Sequence, residues 1–165
     1  IGIGGGGHAG GPGVLIENLG KEAKGKAFDA RVVGRLLTFV RPHGLKLVVL
    51  FGSQATGETH KRSYVDIAGM AHHHLASNAE RVSIEQDLKK VFHRCDLEMV
   101  DLRTSPPLLQ RDVVTKGILL YEEAEGVFTE FQMFALKHFM ETKPLRDLLD
   151  ERLRAFVAKP HPVFS

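Results

Sequence analysis

LVVLFGSQATGETHKRSYVDIAGM, residues 47–70, sets two apolar runs around a glycine-serine corner and a polar spacer. Leu47-Val48-Val49-Leu50-Phe51 is continuously apolar, the pattern of a strand covered on both faces. Gly52 then allows a sharp turn with no Cβ in the way of a ligand, and Ser53 adds a hydroxyl and an N–H at the same corner. Such a turn at the end of a buried strand can cup a phosphate with backbone donors. Ten residues, 54–63, follow as polar loop before a second strand begins at Tyr64-Val65-Asp66. Side chains alternate along a strand, so Tyr64, Asp66 and Ala68 share one face while Val65 and Ile67 turn to a core. Asp66 is thereby a carboxylate on a strand beside the Gly-Ser corner.

A second acidic strand bears on the same corner. Residues 95–102, CDLEMVDL, are apolar enough to form a strand yet carry three acids. Asp96 and Glu98 lie on one face and Asp101 on the other. A carboxylate inside a central strand is costly unless it is paired, hydrogen-bonded or on a metal. Asp66 and Asp96 on adjacent strands could converge on one cation. Magnesium suits that arrangement, since it takes one or two carboxylates together with substrate phosphates. The plainer alternative puts Asp96 at a solvated sheet edge and pairs Glu98 with a nearby Arg or Lys.

With these residues in view, GSQATGETHKRSYVDIAGM resembles the signature of the minimal nucleotidyltransferases of the DNA polymerase beta-like superfamily. Their pattern is Gly-Ser, ten residues, Asp-x-Asp, and a third Asp on a later strand. Gly52 and Ser53 match, the spacer matches, Asp66 falls on the second Asp of the pair, and Asp96 is the candidate for the third. Residues 95–123, CDLEMVDLRTSPPLLQRDVVTKGILLYEE, and the segment FALKHFMETKPLRDLLDERLRAF are similar to the MntA-like antitoxin branch that is paired with HEPN toxins. The resemblance spans roughly residues 29–157. It implies an α+β nucleotidyltransferase fold: a small mixed sheet, helices packed on one face, and the site on the other. It also implies ATP as substrate, Mg2+ as cofactor, and transfer of AMP to a tyrosine hydroxyl of a HEPN toxin. Gly52 and Ser53 would hold phosphate, Asp66 and Asp96 metal, and Asp96 would also orient or deprotonate the acceptor.

Two departures from the family pattern qualify this. Tyr64 stands at the first Asp position of the pair, and Gln54 and Thr56 stand where arginines are common. A phenol, with a pKa of about 10, is neutral at pH 7 and bulkier than Asp. It is a poor ligand for magnesium in a two-metal clamp. Two readings stay open: a transferase impaired at its metal site, and a degenerate antitoxin that neutralises its toxin by binding alone. Modification of a small molecule such as an aminoglycoside is a weaker third, because the chain is short for a dedicated substrate domain.

Bulk properties agree with a small globular protein. At 165 residues, 43% hydrophobic and 25% charged, the chain is long enough for one genuine core. A formal charge of +2 argues against strong attraction to nucleic acid or an anionic membrane. No run is apolar and long enough to span a bilayer, and the N-terminus lacks the basic start and apolar stretch of a signal peptide. Cys95 is the sole cysteine, which suits a reducing cytoplasm; its place on an apolar strand predicts a buried thiol.

Residues 1–13, with eight glycines, read as a flexible arm; a GxGxxG match there has no preceding strand to give it meaning. A single domain is expected over 14–158, followed by a short tail at 159–165. A short helix is expected within 13–25, and further helices over 29–40, 77–93, 105–117, 127–140 and 144–158, with a strand at 118–121. Val33, Leu36, Leu37 and Val40 form the apolar face of the first, and Val82, Ile84, Leu88 and Val91 that of the second. Phe128, Phe131, Phe134, Phe139 and Phe156, with Met133 and Met140, crowd the last two helices. Most are read as core; the alternative is a surface that docks a toxin or a second copy. His72-His73-His74 reads as a solvated loop, since consecutive strand residues cannot all meet one ion. His60, Lys61 and Arg62 are placed either to contact triphosphate or simply in solvent.

Overall fold

The computed structural model describes residues 14–15, 30–56, 64–73 and 77–159. Their elements, in chain order, are β1 (Val14–Leu15), α1 (Ala30–Val40), β2 (Leu45–Phe51), a single helical turn α2 (Ser53–Thr56) and β3 (Val65–Ala71). Then follow α3 (Asn78–Phe92), β4 (Leu97–Asp101), α4 (Pro107–Lys116), β5 (Ile118–Glu122), α5 (Val127–Glu141) and α6 (Lys143–Val157). The strands form one mixed sheet in the order β1-β5-β2-β3-β4. All neighbours are antiparallel except β3 and β4, which are parallel.

Helix boundaries follow local chemistry. Ser77 caps α3 by accepting from the Glu80 N–H at 3.1 Å, and His93 closes it in the left-handed conformation. Pro107 opens α4, where its missing N–H costs nothing, and Gly117 ends it. At Gly117 a Cβ would lie 2.3 Å from the Val113 carbonyl oxygen and 2.6 Å from a Val49 methyl, so the α4–β5 junction needs glycine.

The expected mixed α+β sheet is present, but its cover is two-sided. Leu36, Phe39 and Val40 of α1 and Ile84, Leu88 and Phe92 of α3 pack on Val48, Leu50, Val65 and Ile67. On the opposite face Val113 and Val114 of α4 and Phe131 and Ala135 of α5 pack on Leu47, Val49 and Ala68. This corrects the arrangement with helices on one face only. The continuous apolar run of β2 is the physical reason: it buries side chains in both directions, so each face needs a helical layer.

Other expectations are corrected as well. Val14–Leu15 pair with β5 as a strand instead of joining a helix; residues 1–13 and 16–29 lie outside the described residues, as do His60, Lys61, Arg62 and His74. Cys95 is exposed, because β4 begins only at Leu97 and the thiol sits in the preceding bend. Val82, expected on the apolar face of α3, is exposed, and the buried residues of that helix are Ile84, Leu88 and Phe92. Of the five phenylalanines expected to crowd the last two helices, Phe131 alone is buried; Phe134 and Phe156 face solvent with Met133 and Met140. Only Phe131 and Ala135 of α5 are buried against the sheet, and α6 has no buried residue, so these other side chains lie outside the core. His72 pairs with Glu123 and His73 with Glu80, each at 2.7 Å, as surface contacts and not as a metal site.

Candidate active site at the Gly-Ser corner

The end of β2 and the start of β3 meet at the corner the sequence singles out. Phe51 is in register with Asp66 across the antiparallel pair. Gly52 follows with φ of +72°, a conformation that favours glycine. A Cβ there would lie 2.3 Å from Asp66 Oδ2 and 3.2 Å from its Cγ. The Asp66 carboxylate therefore rests directly on the glycine backbone. Ser53 starts the helical turn, whose amides at Ala55 and Thr56 bond back to the Gly52 carbonyl at 3.1 and 3.2 Å. Gly52, Ser53 and Asp66 thus form one compact unit.

The acid brought opposite Asp66 is Glu98. In the parallel β3–β4 pair the register is Val65 with Leu97, Asp66 with Glu98, and Ala68 with Val100. Register partners on adjacent strands share a face about 4.8 Å apart, so the two carboxylates are neighbours. Burial raises the pKa of Asp66 above its ordinary value, and the charge of Glu98 raises it further. A divalent cation beside Asp66 would offset the repulsion it feels from Glu98.

Asp96 is engaged differently. It lies before β4, its carbonyl accepts the Val65 N–H at 2.9 Å, and its carboxylate takes a two-pronged bond from Arg94 at 2.8 and 2.6 Å. The Arg94 hydrogen bonds hold its pKa below the ordinary value. Asp101 is buried on the other face, where it accepts the Arg103 N–H at 2.9 Å and shapes the turn after β4. Tyr64 precedes β3 and is 57% exposed. Among the described residues no group of three or more His, Cys, Asp or Glu side chains is gathered to hold a metal. Asp66 and Glu98 form a two-carboxylate set, which fits one magnesium completed by substrate phosphates and does not fit a pair of metals.

Comparison with known proteins gives the family and the fold. The family described as polymerase beta, nucleotidyltransferase, matches residues 37–126, which include both strands of the corner and the acidic strand. The chain belongs to this nucleotidyltransferase family. Within it, this nucleotidyltransferase is 31% identical over 121 residues to the protein adenylyltransferase MntA of Shewanella oneidensis, covering 71% of this chain and 83% of the relative. Its fold is similar to that in a crystal structure of a toxin-antitoxin with AMP-PNP, with a TM-score of 0.64 and 26% identity, covering 74% of this chain and 98% of that one. A structure of a tri-AMPylated Shewanella oneidensis HEPN toxin in complex with its MNT antitoxin shares the fold, with a TM-score of 0.60 at 23% identity over 74% of this chain and 96% of that one. The α+β nucleotidyltransferase fold and the MntA likeness expected from the sequence are thus both found. No helix among the described residues is long and apolar enough to cross a membrane.

Glu98, and not Asp96, is the acid of this strand that stands beside Asp66. Its signal was positional. Asp66 is the second residue of β3 and Glu98 the second of β4, so in a parallel pair started together they stand side by side.

Proposed function

We propose that this nucleotidyltransferase moves AMP from ATP to a tyrosine hydroxyl of a HEPN-type toxin, and so acts as the toxin's antitoxin. The observation that carries this reading is the contact between Gly52 and Asp66: a phosphate-cupping corner and a carboxylate held together within an adenylyltransferase-like fold. Ser53 offers its hydroxyl and N–H to the phosphates. Asp66 and Glu98 are the pair that would hold Mg2+, which when bound neutralises charge building on the phosphates. The acceptor oxygen attacks the α-phosphorus, and pyrophosphate leaves. Asp96 was the expected group to orient or deprotonate that oxygen. Its bond to Arg94 lowers its basicity, so Glu98, exposed and in register with Asp66, is the better-placed acid. Catalysis of this kind is mainly positioning and charge neutralisation.

Tyr64 is the specific observation that favours the second reading, an antitoxin acting by binding alone. The test is intact-mass analysis of a HEPN-type acceptor incubated with the full chain, ATP and magnesium. AMP addition by the native chain supports the transferase, and Tyr64→Asp is expected to raise its rate at least tenfold. Equal rates for both proteins would remove Tyr64 as the source of impairment. Tight complex formation with no transfer by either protein would leave only the binding role.

A further inference from the structure

Tyr64 stands beside the Gly52–Asp66 corner with no part in holding a phosphate or a cation. It immediately precedes β3, and the strand that follows fixes its place. Val65 is buried in the core beneath α1 and α3, and its N–H donates to the Asp96 carbonyl at 2.9 Å. Side chains alternate along extended backbone, so Tyr64 falls on the other face, the one that carries Asp66. The two residues are separated by about 7 Å at strand rise. A phenol carries its oxygen at the far end of a ring, long enough to cross that interval.

The hydroxyl is also open to reaction. Tyr64 is 57% exposed, and among the described residues no side chain engages its hydroxyl. The chain has two tyrosines, and the other, Tyr121 of β5, is buried in the sheet. A transfer directed at tyrosine therefore has one accessible target on this molecule.

Tethering adds a kinetic argument. A well-oriented group on the same molecule acts at an effective concentration of up to roughly 10⁵–10⁸ M. Modification of Tyr64 also needs only one turnover per chain. A site slowed by the loss of one carboxylate still suffices for that.

We propose that this chain adenylylates itself at Tyr64. The proposal rests on the reading of the chain as an AMP transferase. The Tyr64 oxygen attacks the α-phosphorus of an ATP whose phosphates rest on Gly52 and Ser53. The new O–P bond forms as the bond from the α-phosphorus to the bridging oxygen breaks, and pyrophosphate leaves. The phenolic proton passes to the carboxylate of Glu98, which the β3–β4 register sets beside Asp66. The product holds AMP covalently over the corner and closes it to a second ATP, so the chain limits its own activity.

The test incubates the full chain with ATP and magnesium and follows intact mass with peptide mapping. One AMP per chain is expected, on Tyr64, and none on Tyr64→Phe. The fraction modified per unit time should be independent of chain concentration, as an intramolecular step requires. A rate that rises in proportion to concentration overturns the tethered acceptor, and so does AMP on another residue with Tyr64 unmodified. A second readout needs no turnover. Tetranitromethane nitrates exposed phenols, and AMP-PNP with magnesium, its occupancy set by calorimetry, should slow nitration of Tyr64 at least fivefold. Nitration at an equal rate with the analogue bound puts the phenol away from the triphosphate and overturns the proposal. Fully modified chain should bind the analogue at least tenfold more weakly than Tyr64→Phe treated alike; equal binding overturns the self-closure. AMP on a HEPN-type acceptor with none on Tyr64 overturns the proposal and leaves the transferase reading standing. If neither the acceptor nor Tyr64 is modified, the transferase reading fails and takes this proposal with it.

Discussion

Gly52→Ala tests the corner most directly, because two separable costs meet at one atom. The first is conformational: φ at Gly52 is +72°, and a Cβ in the left-handed region costs roughly 1–2 kcal/mol. The second is steric: the new methyl would lie 2.3 Å from Asp66 Oδ2, 3.2 Å from Cγ and 3.4 Å from Cβ. The oxygen can swing away, but Cγ and Cβ are tied to the strand, so relief moves the whole carboxylate by an appreciable fraction of an ångström. Overpacking of that kind adds on the order of 1 kcal/mol. The total is a loss of about 2–3 kcal/mol, read as a fall in the urea midpoint with an unchanged slope. Asp66→Ala removes the steric part and keeps the conformational part. In a double-mutant cycle Gly52→Ala should therefore cost only about 1–2 kcal/mol on the Asp66→Ala background. Binding of an ATP analogue with magnesium should fall sharply in Gly52→Ala, since displacement of a positioned group by about 1 Å can cost on the order of a hundredfold. An equal cost of Gly52→Ala on both backgrounds would falsify the contact as the origin of the effect. So would a stability loss too small to measure.

Three further outcomes are expected. Burial and then Glu98 raise the pKa of Asp66, so its contribution to stability is fully present below the unfolded value near 3.8 and is lost as pH rises through the folded value; Glu98→Gln should lessen that loss, and coincident pH–stability curves for the two proteins would rule out the Asp66–Glu98 interaction. Asp96 shows the opposite sign: Arg94 lowers its pKa, so its contribution holds above 3.8 and fades as pH falls through the folded value. As a partly exposed pair it should be worth less than about 1 kcal/mol, and Asp96→Ala should weaken magnesium-dependent nucleotide binding far less than Glu98→Ala; the reverse order, measured by titration, would return Asp96 to the metal site. Gln110 is buried, donates to the Leu102 carbonyl at 2.8 Å and meets His138 Nδ1 at 3.0 Å, so Gln110→Ala should destabilise by about 1–3 kcal/mol in chemical denaturation, and a neutral result would show that α4 and α5 are not locked through it.

Much of the corner was legible because its constraints are local. An apolar run, a glycine and a serine at its end, and an acid two residues into the next strand are set by side-chain alternation and by the φ that Gly52 must adopt. Most helices were legible for the same reason: Ser77 as a cap, Pro107 as a start and Gly117 as a stop act within a turn of where they stand. What the sequence could not carry was pairing. The choice between Asp96 and Glu98 depends on the offset of β4 against β3, and a shift of two residues exchanges them while keeping the same face. The bulge at Lys46 is a relation between two strands and leaves no mark in either alone. The C-terminal phenylalanines misled because apolar periodicity reports an amphipathic helix without reporting whether anything covers it.

The terminal helix α6 adds a consequence of a different kind. None of its residues is buried, and its described tie to α5 includes Arg146 set 3.7 Å over the Phe139 ring, which Arg111 of α4 also approaches at 4.7 Å. Opening α6 would expose little core, so its amides should exchange with solvent well before those of the sheet, as a unit of low local stability. A segment coupled so lightly to the core can change its sequence without putting the nucleotide corner at risk. Substitutions on its exposed faces therefore fall on a stretch of chain largely separate from the one that folds the sheet.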